Sequence, residues 1–360
     1  MIADFLELAK NVEADWRAND LNLEAFPVIA TTHLETFPSL AKCDTLNQEL
    51  SRWLATSNQV PEQLNVHNVF GQPPITLFNN GRFVVDLYIW MNFDTSIHSH
   101  GFRGAFRVIV GRSLQELFAV HENKTVASDV MHSSLGLPRR EILKTGAVAT
   151  IWPGKAFTHR VVHLDQPTIT LCVRTINEEA ASQWNHFQSG ISIQKQITSP
   201  GTAKSLYFAQ YLLSQNISQA HDFIKNILDN LSISQQMNLY EEVSFAAYDL
   251  NEECVNLLLH SISARHQNSP WFTLYEKHYE NLENHIPSFL FTDPQQRLLA
   301  HLLNHHVETT EILSLLAQVH GTGHSNGDAE NIAQSLLLSA HVSDNEYYQQ
   351  IVKRFLSCLK

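Results

Sequence analysis

The 360-residue sequence predicts an α+β protein in which a β-barrel lies between two helical regions. Three observations lead to this fold class. Apolar residues recur at helical spacings up to about residue 57, short β-rich runs follow from about 64 to 176, and helical patterns then continue to the C-terminus. We therefore expect an N-terminal helical segment over 1–60, a barrel over 61–195 and an all-α domain over 196–360.

The N-terminal segment is predicted to be helical and to pack on the barrel. Its stretches FLELAKNVEADW and LNQELSRWLA carry apolar residues three and four positions apart. The start is acidic and amphipathic, without the basic and apolar parts of a secretory signal. No apolar run approaches the roughly 20 residues of a membrane helix, so we expect neither export nor a membrane anchor.

The central region reads as an antiparallel sandwich or barrel. Its β-rich runs include ITLF, RFVVDLYIWMNF, AFRVIVG, SLQELFAVH, AVATIW, FTHRVVHL and TITLCVRT. Turn residues separate them, for example NNG at 79–81 and PGK at 153–155. The C-terminal half repeats a pattern of helix and short turn without a strict period, which leaves a bundle and a solenoid as alternatives.

Composition narrows the classes of partner. A hydrophobic fraction of 44% and a charged fraction of 17% are typical of a globular protein, and the net charge of −12 argues against non-specific binding to nucleic acid or anionic membranes. The four cysteines form no CxxC pair, so we expect reduced thiols in a cytoplasmic protein. The expected partner is a small-molecule substrate, and copies of the chain are expected to associate through the helical domain.

Two histidines in TSIHSHGFRG are the first candidate site residues. In an extended strand, residues i and i+2 point to the same face, so His98 and His100 can converge on one metal ion. A third candidate, His159, follows the Pro-Gly turn of IWPGKAFTHRVVH, on a strand that can lie beside the first. The alternative is a pair of ordinary polar residues on a half-exposed sheet.

These stretches carry a family resemblance. TSIHSHGFRGAFRVIVGRSLQELF resembles the first metal-binding motif of the cupin superfamily, and IWPGKAFTHRVVH resembles the second. Within the superfamily, residues from about 75 to 175 are most similar to the cysteine dioxygenase-like thiol dioxygenases. The resemblance implies a jelly-roll barrel, also called a double-stranded β-helix. It does not extend to the helical C-terminal half.

The resemblance implies a ligand set and a chemistry. His98, His100 and His159 match the three metal-ligating histidines, while Gly104 and Ala105 stand where many cupins place a glutamate ligand. A three-histidine site with open positions suits an Fe(II) dioxygenase, an oxidoreductase, although imidazole also accepts Zn, Ni or Mn. We expect Asp94, Asp86 or Asp165 to orient the ligand rings.

Two departures argue against cysteine as the substrate. No arginine stands near Pro73, where the family has the arginine that grips the substrate carboxylate, and Arg174 aligns with the family's active-site tyrosine. Arg174, or else Arg103 or Arg107, is the expected anchor for another anionic substrate. His163 is the second candidate catalytic residue, either as an additional ligand or as part of the pocket wall.

Other readings stay open. A ligand- or metal-sensing cupin with a helical interaction domain would account for the long C-terminal half, and a Zn or Ni cupin could be an isomerase or lyase. The histidines of HLLNHH (301–306) and HGTGH (320–324) are expected at the surface or between helices. Motifs for nucleotide binding and serine hydrolysis are absent from the sequence.

Overall fold

A computed structural model gives the structure of residues 2–38, 43–57, 60–64, 74–91, 94–176, 182–196, 198–244, 246–320 and 326–359. Three helices come first, thirteen strands follow between Ile75 and Gln194, and the remaining described elements are helical. The predicted fold class, a barrel between two helical regions, is confirmed.

The N-terminal helices cover one face of the barrel. They are α1 (Ile2–Ala18), α2 (Phe26–Thr36) and α3 (Cys43–Thr56). Trp16 of α1 lies edge-on to Phe26 of α2 with ring centroids 4.6 Å apart, and both rings contact Phe83 of the sheet. Arg107 secures the end of α2, because its Nη1 donates to the carbonyl oxygen of Leu34 at 2.6 Å.

The strands form two antiparallel sheets. The strands are β1 (Ile75–Asn79), β2 (Phe83–Trp90), β3 (His98–His100), β4 (Gly104–Val110), β5 (Ser113–Phe118), β6 (Val120–Ala127), β7 (Val130–Leu135), β8 (Arg139–Leu143), β9 (Val148–Ile151), β10 (Gly154–His163), β11 (Thr168–Thr175), β12 (Trp184–Phe187) and β13 (Ile191–Gln194). One sheet has the order β1-β2-β11-β4-β9, and the other has the order β6-β7-β13-β12-β3-β10-β5-β8.

Successive side chains of β2 and β11 point alternately to the core under the N-terminal helices and to the barrel interior. In β2, Val85 and Leu87 face the N-terminal helices, whereas Asp86 and Tyr88 face the interior. In β11, Leu171 and its alternate neighbours pack under the helices in the same way, so the polar residues between them point inward. The five-stranded sheet is therefore buried on both faces.

Ten α-helices and one 3-10 turn lie C-terminal to the barrel in the described residues. They are α4 (Pro200–Ser214), α5 (Ala220–Asp229), α6 (Ile233–Ser244), α7 (Glu252–His266), α8 (Pro270–Glu283), the turn Ser288–Leu290, α9 (Pro294–Asn304), α10 (Thr309–His320), α11 (Asn326–Leu338), α12 (Ala340–Ser343) and α13 (Glu346–Cys358). Cap residues set several of these starts: Asp293 accepts from the amides of Gln295 and Gln296 before α9.

The helices divide into two packed groups, each built on the eight-stranded sheet. Helices α4–α8 share an apolar core with residues of β7, β12 and β13, including Ile191 and Ile193. Helices α9–α13 share another core with Leu114 of β5 and Val162 of β10. None of the helices within the described ranges is long and apolar enough to cross a membrane.

Polar contacts add to the second of these interfaces. The buried guanidinium of Arg297 in α9 donates to the carbonyl oxygen of His163 at 2.7 Å. The Nε2 of His301, also in α9, lies 3.1 Å from Oε2 of the buried Glu116 in β5. The helices of this group therefore hold the outer faces of β5 and β10 directly.

Candidate metal centre

Two adjacent strands bring three histidines together. His98 and His100 lie on β3, and β10 pairs with β3 in a register that sets His159 opposite His98. The alternation of the short strand gives His98 and His100 the same face, as its sequence predicts. Their side-chain nitrogens and that of His159 all lie within 4.8 Å of one another, and this is the group of residues in the described chain that could hold a metal ion.

Hydrogen bonds fix which nitrogen faces the centre in two of the three rings. His98 donates from Nδ1 to the carbonyl oxygen of Ser96 at 2.8 Å, and His159 donates from Nδ1 to Oε1 of Gln115 at 3.2 Å. The amide of Gln115 is itself oriented, because its Nε2 donates to Glu141 at 2.7 Å. Both rings therefore turn an Nε2 lone pair inward.

Burial keeps the three imidazoles neutral. His98, His100 and His159 are 2%, 6% and 4% exposed. Burial lowers the pKa of His98 to about 4. Burial and then the neighbouring imidazoles hold the pKa values of His100 and His159 well below the ordinary range. At neutral pH each ring is therefore uncharged and keeps one nitrogen without a proton, which is the form of imidazole that binds a metal ion.

This donor set fits a divalent transition metal. The Nε2 atoms of His100 and His159 lie 3.0 Å apart. Two nitrogens bound to one ion at about 2.0–2.1 Å lie roughly 3 to 4 Å from each other. When Nε2 of His100 carries the ring proton this contact is a hydrogen bond to His159, and its length also suits two nitrogens that share one metal ion.

Backbone packing explains why no carboxylate stands at position 104. A Cβ atom added to Gly104 would lie 2.1 Å from the carbonyl oxygen of Val173 on the neighbouring strand β11. Only glycine permits this approach of β4 to β11. Within the described residues, the site therefore has three imidazoles and no acidic ligand.

Aromatic rings form an apolar wall around the histidines. Phe102 lies 4.6 Å from the ring of His100, Phe157 lies 4.6 Å from that of His159, and Phe106 lies 6.2 Å from His159. These rings lower the local dielectric constant and limit the access of water to the centre.

A buried ion pair stands beside this wall. Arg174 donates from Nε and Nη2 to Oδ2 of Asp86 at 3.0 and 2.8 Å, and both side chains are 4% exposed. Thr76 donates to Oδ1 of Asp86 at 2.8 Å, and the guanidinium also bonds with the hydroxyl of Tyr88. Phe102 separates the pair from the histidines, with its ring centroid 5.0 Å from the guanidinium carbon. Arg174 thus faces the interior with its charge already paired, and its role as an anchor for an anionic substrate stays a prediction.

His163 lies near the centre but outside the converging group. It shares the inward face of β10 with His159, stacks on Trp90 at 4.2 Å, and its Nδ1 lies 3.0 Å from the hydroxyl of Ser113. Its Nε2 is buried without a hydrogen-bond partner among the described residues. Burial lowers its pKa to about 3, so the ring is neutral.

The remaining predicted candidates lie elsewhere. Arg107 points outward to α2, and Arg103 pairs with Glu24 at 2.6 Å on the side of the N-terminal helices. Asp165 pairs with Arg112, and Asp94 accepts from the amide of His163 at 3.3 Å. The Pro73 position lies outside the described residues, as does 321–325 in the HGTGH stretch.

The sequence did not predict the role of Gln115, which orients the ring of His159. In SLQELF, Ser113 and Gln115 alternate with Leu114 and Glu116. The register of β5 against β10 places the first two inward, toward His163 and His159, and the other two outward, toward the C-terminal helices. A glutamine within a β-rich run that follows the predicted H-x-H strand is the signal that could have identified it.

The centre opens into a large crevice. The crevice has a volume of about 2040 Å³ and is lined at one end by His98, His100 and Arg174. Its far walls come from both helical groups, with Tyr279 from α8 and Tyr348 from α13 among them. It is about twice the upper size of an ordinary ligand pocket, 300–1,000 Å³, so the helical region contributes directly to the surroundings of the site.

Histidines of the HLLNHH stretch lie between elements rather than at a second centre. His301 contacts Glu116 of the barrel, and its ring lies 4.6 Å from that of His305, which in turn lies 5.2 Å from His285. These rings do not join a converging metal group in the described chain.

Comparison with known proteins gives matches among solved structures only. No protein-family model matches the chain, and no curated protein matches it. Hydroquinone 1,2-dioxygenase from Sphingomonas sp. TTNP3, with 4-hydroxybenzoate bound, is 15% identical over 31% of this chain and 70% of its own, with a TM-score of 0.23. The DMSP lyase from Ruegeria pomeroyi DSS-3 is 13% identical over 50% of this chain and 95% of its own, with a TM-score of 0.26. The Drosophila melanogaster CENP-C cupin domain is 15% identical over 38% of this chain and 99% of its own, with a TM-score of 0.21.

The strand order decides the fold. Eight strands divide between the two sheets in the orders β2-β11-β4-β9 and β3-β10-β5-β8, which is the two-sheet arrangement of a jelly roll. The barrel is a jelly roll, also called a double-stranded β-helix. In this barrel the H-x-H strand and the strand of the last histidine are neighbours in one sheet. The inserted strands β6 and β7 and the final strands β12 and β13 extend that sheet toward the first helical group.

Proposed function

We propose that this chain is a mononuclear metal-dependent enzyme, an Fe(II) dioxygenase that acts on a small polar or thiol substrate. The observation that carries the proposal is the group of three buried, neutral imidazoles without an acidic ligand at the end of a crevice. Fe(II) held by His98, His100 and His159 would supply redox chemistry with O₂ and Lewis acidity at positions left open by the protein.

The surrounding side chains prepare the site for that chemistry. Ser96 and Gln115 hold the rings of His98 and His159 in the ligating tautomer. Phe102 and Phe157 exclude water from the face where a substrate would lie. Burial raises the pKa of Tyr88 well above its usual value, so its hydroxyl keeps its proton, which it donates to Oδ2 of Asp86 at 3.4 Å.

A second candidate function is a sensor in which the barrel holds metal or metabolite and the helices respond. The direct bond between His301 of α9 and Glu116 of β5, the strand that orients His159, supports this alternative. A non-oxidative Zn or Ni enzyme would use the same ligands, and its activity would persist without O₂. Association of copies through the helices and a cytoplasmic location stay predictions.

Metal content and oxygen consumption test the proposal. Protein purified without added metal should contain about one equivalent of a transition metal, and the His98→Ala/His100→Ala variant should contain little. His121→Ala, which changes an exposed histidine of β6, is the matched control. With Fe(II) and a panel of small thiols and diketones, the wild type should consume O₂. Absence of metal, or a flat oxygen trace across the panel, would overturn the proposal.

A further inference from the structure

The pairing of Arg174 with Asp86 determines the charge that a substrate meets at the centre. Arg174 is a cation close to the histidines, since its guanidinium packs on Phe102, which contacts His100. An isolated arginine there would attract an anionic group, because its guanidinium stays charged in proteins. Here Asp86 takes two of its donors and Tyr88 bonds with it as well.

The position of Asp86 is itself fixed. Thr76 of β1 donates to its Oδ1, and the carboxylate lies on β2 directly beside the β11 strand that carries Arg174. Neither side chain is more than 4% exposed. A second anion entering beside this pair would lose its water next to a buried carboxylate, which costs free energy that the shared guanidinium does not restore. The pair therefore presents hydrogen-bond donors without net charge.

We infer that Asp86 is a specificity-determining residue that makes the pocket select substrates whose metal-binding atom is their only anionic group. The inference rests on the proposed function and names its substrate class: thiols, phenols or enols whose remaining polar groups are uncharged. Substrates with an additional carboxylate are disfavoured because Arg174 is already neutralised.

Two thiol probes of similar size measure this preference. Mercaptopropanol is neutral away from its thiol, and mercaptopropionate carries a carboxylate at the same distance. Binding to Co(II)-loaded protein is followed by the visible absorption of the thiolate-bound ion. The measured quantity is the ratio of the two dissociation constants, since differences in metal affinity and in chelation by the probe largely cancel in comparisons between variants.

Asp86→Asn leaves Arg174 unpaired. Relative to mercaptopropanol, mercaptopropionate should then bind at least about ten-fold more tightly than it does to the wild type, a factor equal to about 1.4 kcal/mol. Asp165→Asn is the matched control, because it breaks the Arg112–Asp165 pair away from the centre, and it should leave the ratio unchanged. An unchanged ratio in folded, metal-loaded Asp86→Asn would overturn the inference.

A double variant covers the case in which Asp86→Asn does not fold, since an unpaired buried cation is costly. Asp86→Asn/Arg174→Gln removes both charges and should keep the wild-type ratio. If Arg174 instead anchors anions despite Asp86, the double variant would lose mercaptopropionate selectively, and the inference fails. Failure of the proposed function would give a different result. The wild type would then show no His98-dependent Co(II) spectrum or no response to either probe, and both the proposed function and the inference about Asp86 would be wrong.

Discussion

The orienting role of Gln115 gives the sharpest test of the metal centre. Leucine at this position has nearly the same shape but cannot accept the 3.2 Å bond from Nδ1 of His159. The imidazole of the Gln115→Leu variant would then either bury an unsatisfied N–H, at a cost of about 1–3 kcal/mol, or carry its proton on Nε2, the nitrogen that must bind the metal. Both outcomes weaken binding by roughly 10- to 100-fold.

Ser113→Ala provides the matched control on the same strand. It removes the partner of His163, the buried histidine outside the converging group, and should change metal affinity less than about three-fold, a difference below about 0.7 kcal/mol. Affinities are measured by competition with a chromophoric chelator, after circular dichroism shows that both variants are folded. Wild-type affinity in Gln115→Leu would refute the orienting role, and an equal loss in Ser113→Ala would make His163 a ligand.

Two further predictions concern stability. Burial lowers the pKa values of His163 and His186 to about 3 and about 4. Below a pH of about 6.5 the unfolded chain therefore binds more protons than the folded chain, and the free energy of unfolding should fall by up to about 1.4 kcal/mol per pH unit for each histidine as the pH drops toward 4. His186→Gln should make this free energy, measured by urea denaturation, depend less steeply on pH. His301→Ala, which loses the bond to Glu116, should lower the free energy of unfolding by about 2 kcal/mol. His260→Ala is the control, because it changes an exposed position of α7, and it should change this free energy by less than about 0.5 kcal/mol. Equal effects of the two substitutions would argue against the His301–Glu116 contact.

Local patterns in the sequence were sufficient to predict the barrel and the grouping of its histidines. The alternation in β3 alone places His98 and His100 on one face. The Pro-Gly turn and the spacing of the β-rich runs then allow His159 to lie on a neighbouring strand. Cys172 and Arg174 alternate with apolar residues in β11, and they lie on the face opposite the N-terminal helical core.

What the sequence did not reveal depends on pairing between distant segments. Asp86 and Arg174 meet because β2 and β11 are neighbours in the sheet, 88 positions apart in sequence. Gln115 reaches His159 through the register of β5 with β10, and Glu116 reaches His301 across 185 positions. Strand register and the docking of helices are tertiary properties, which composition and periodicity do not encode.

The close approach at Gly104 has a consequence for the evolution and redesign of this barrel. Any side chain at that position would collide with the carbonyl of Val173, so a glutamate introduced there would separate two central strands instead of reaching the ion. A glutamate ligand at position 104 is thus not one substitution away. A barrel that carried a carboxylate there would also need a wider spacing between β4 and β11.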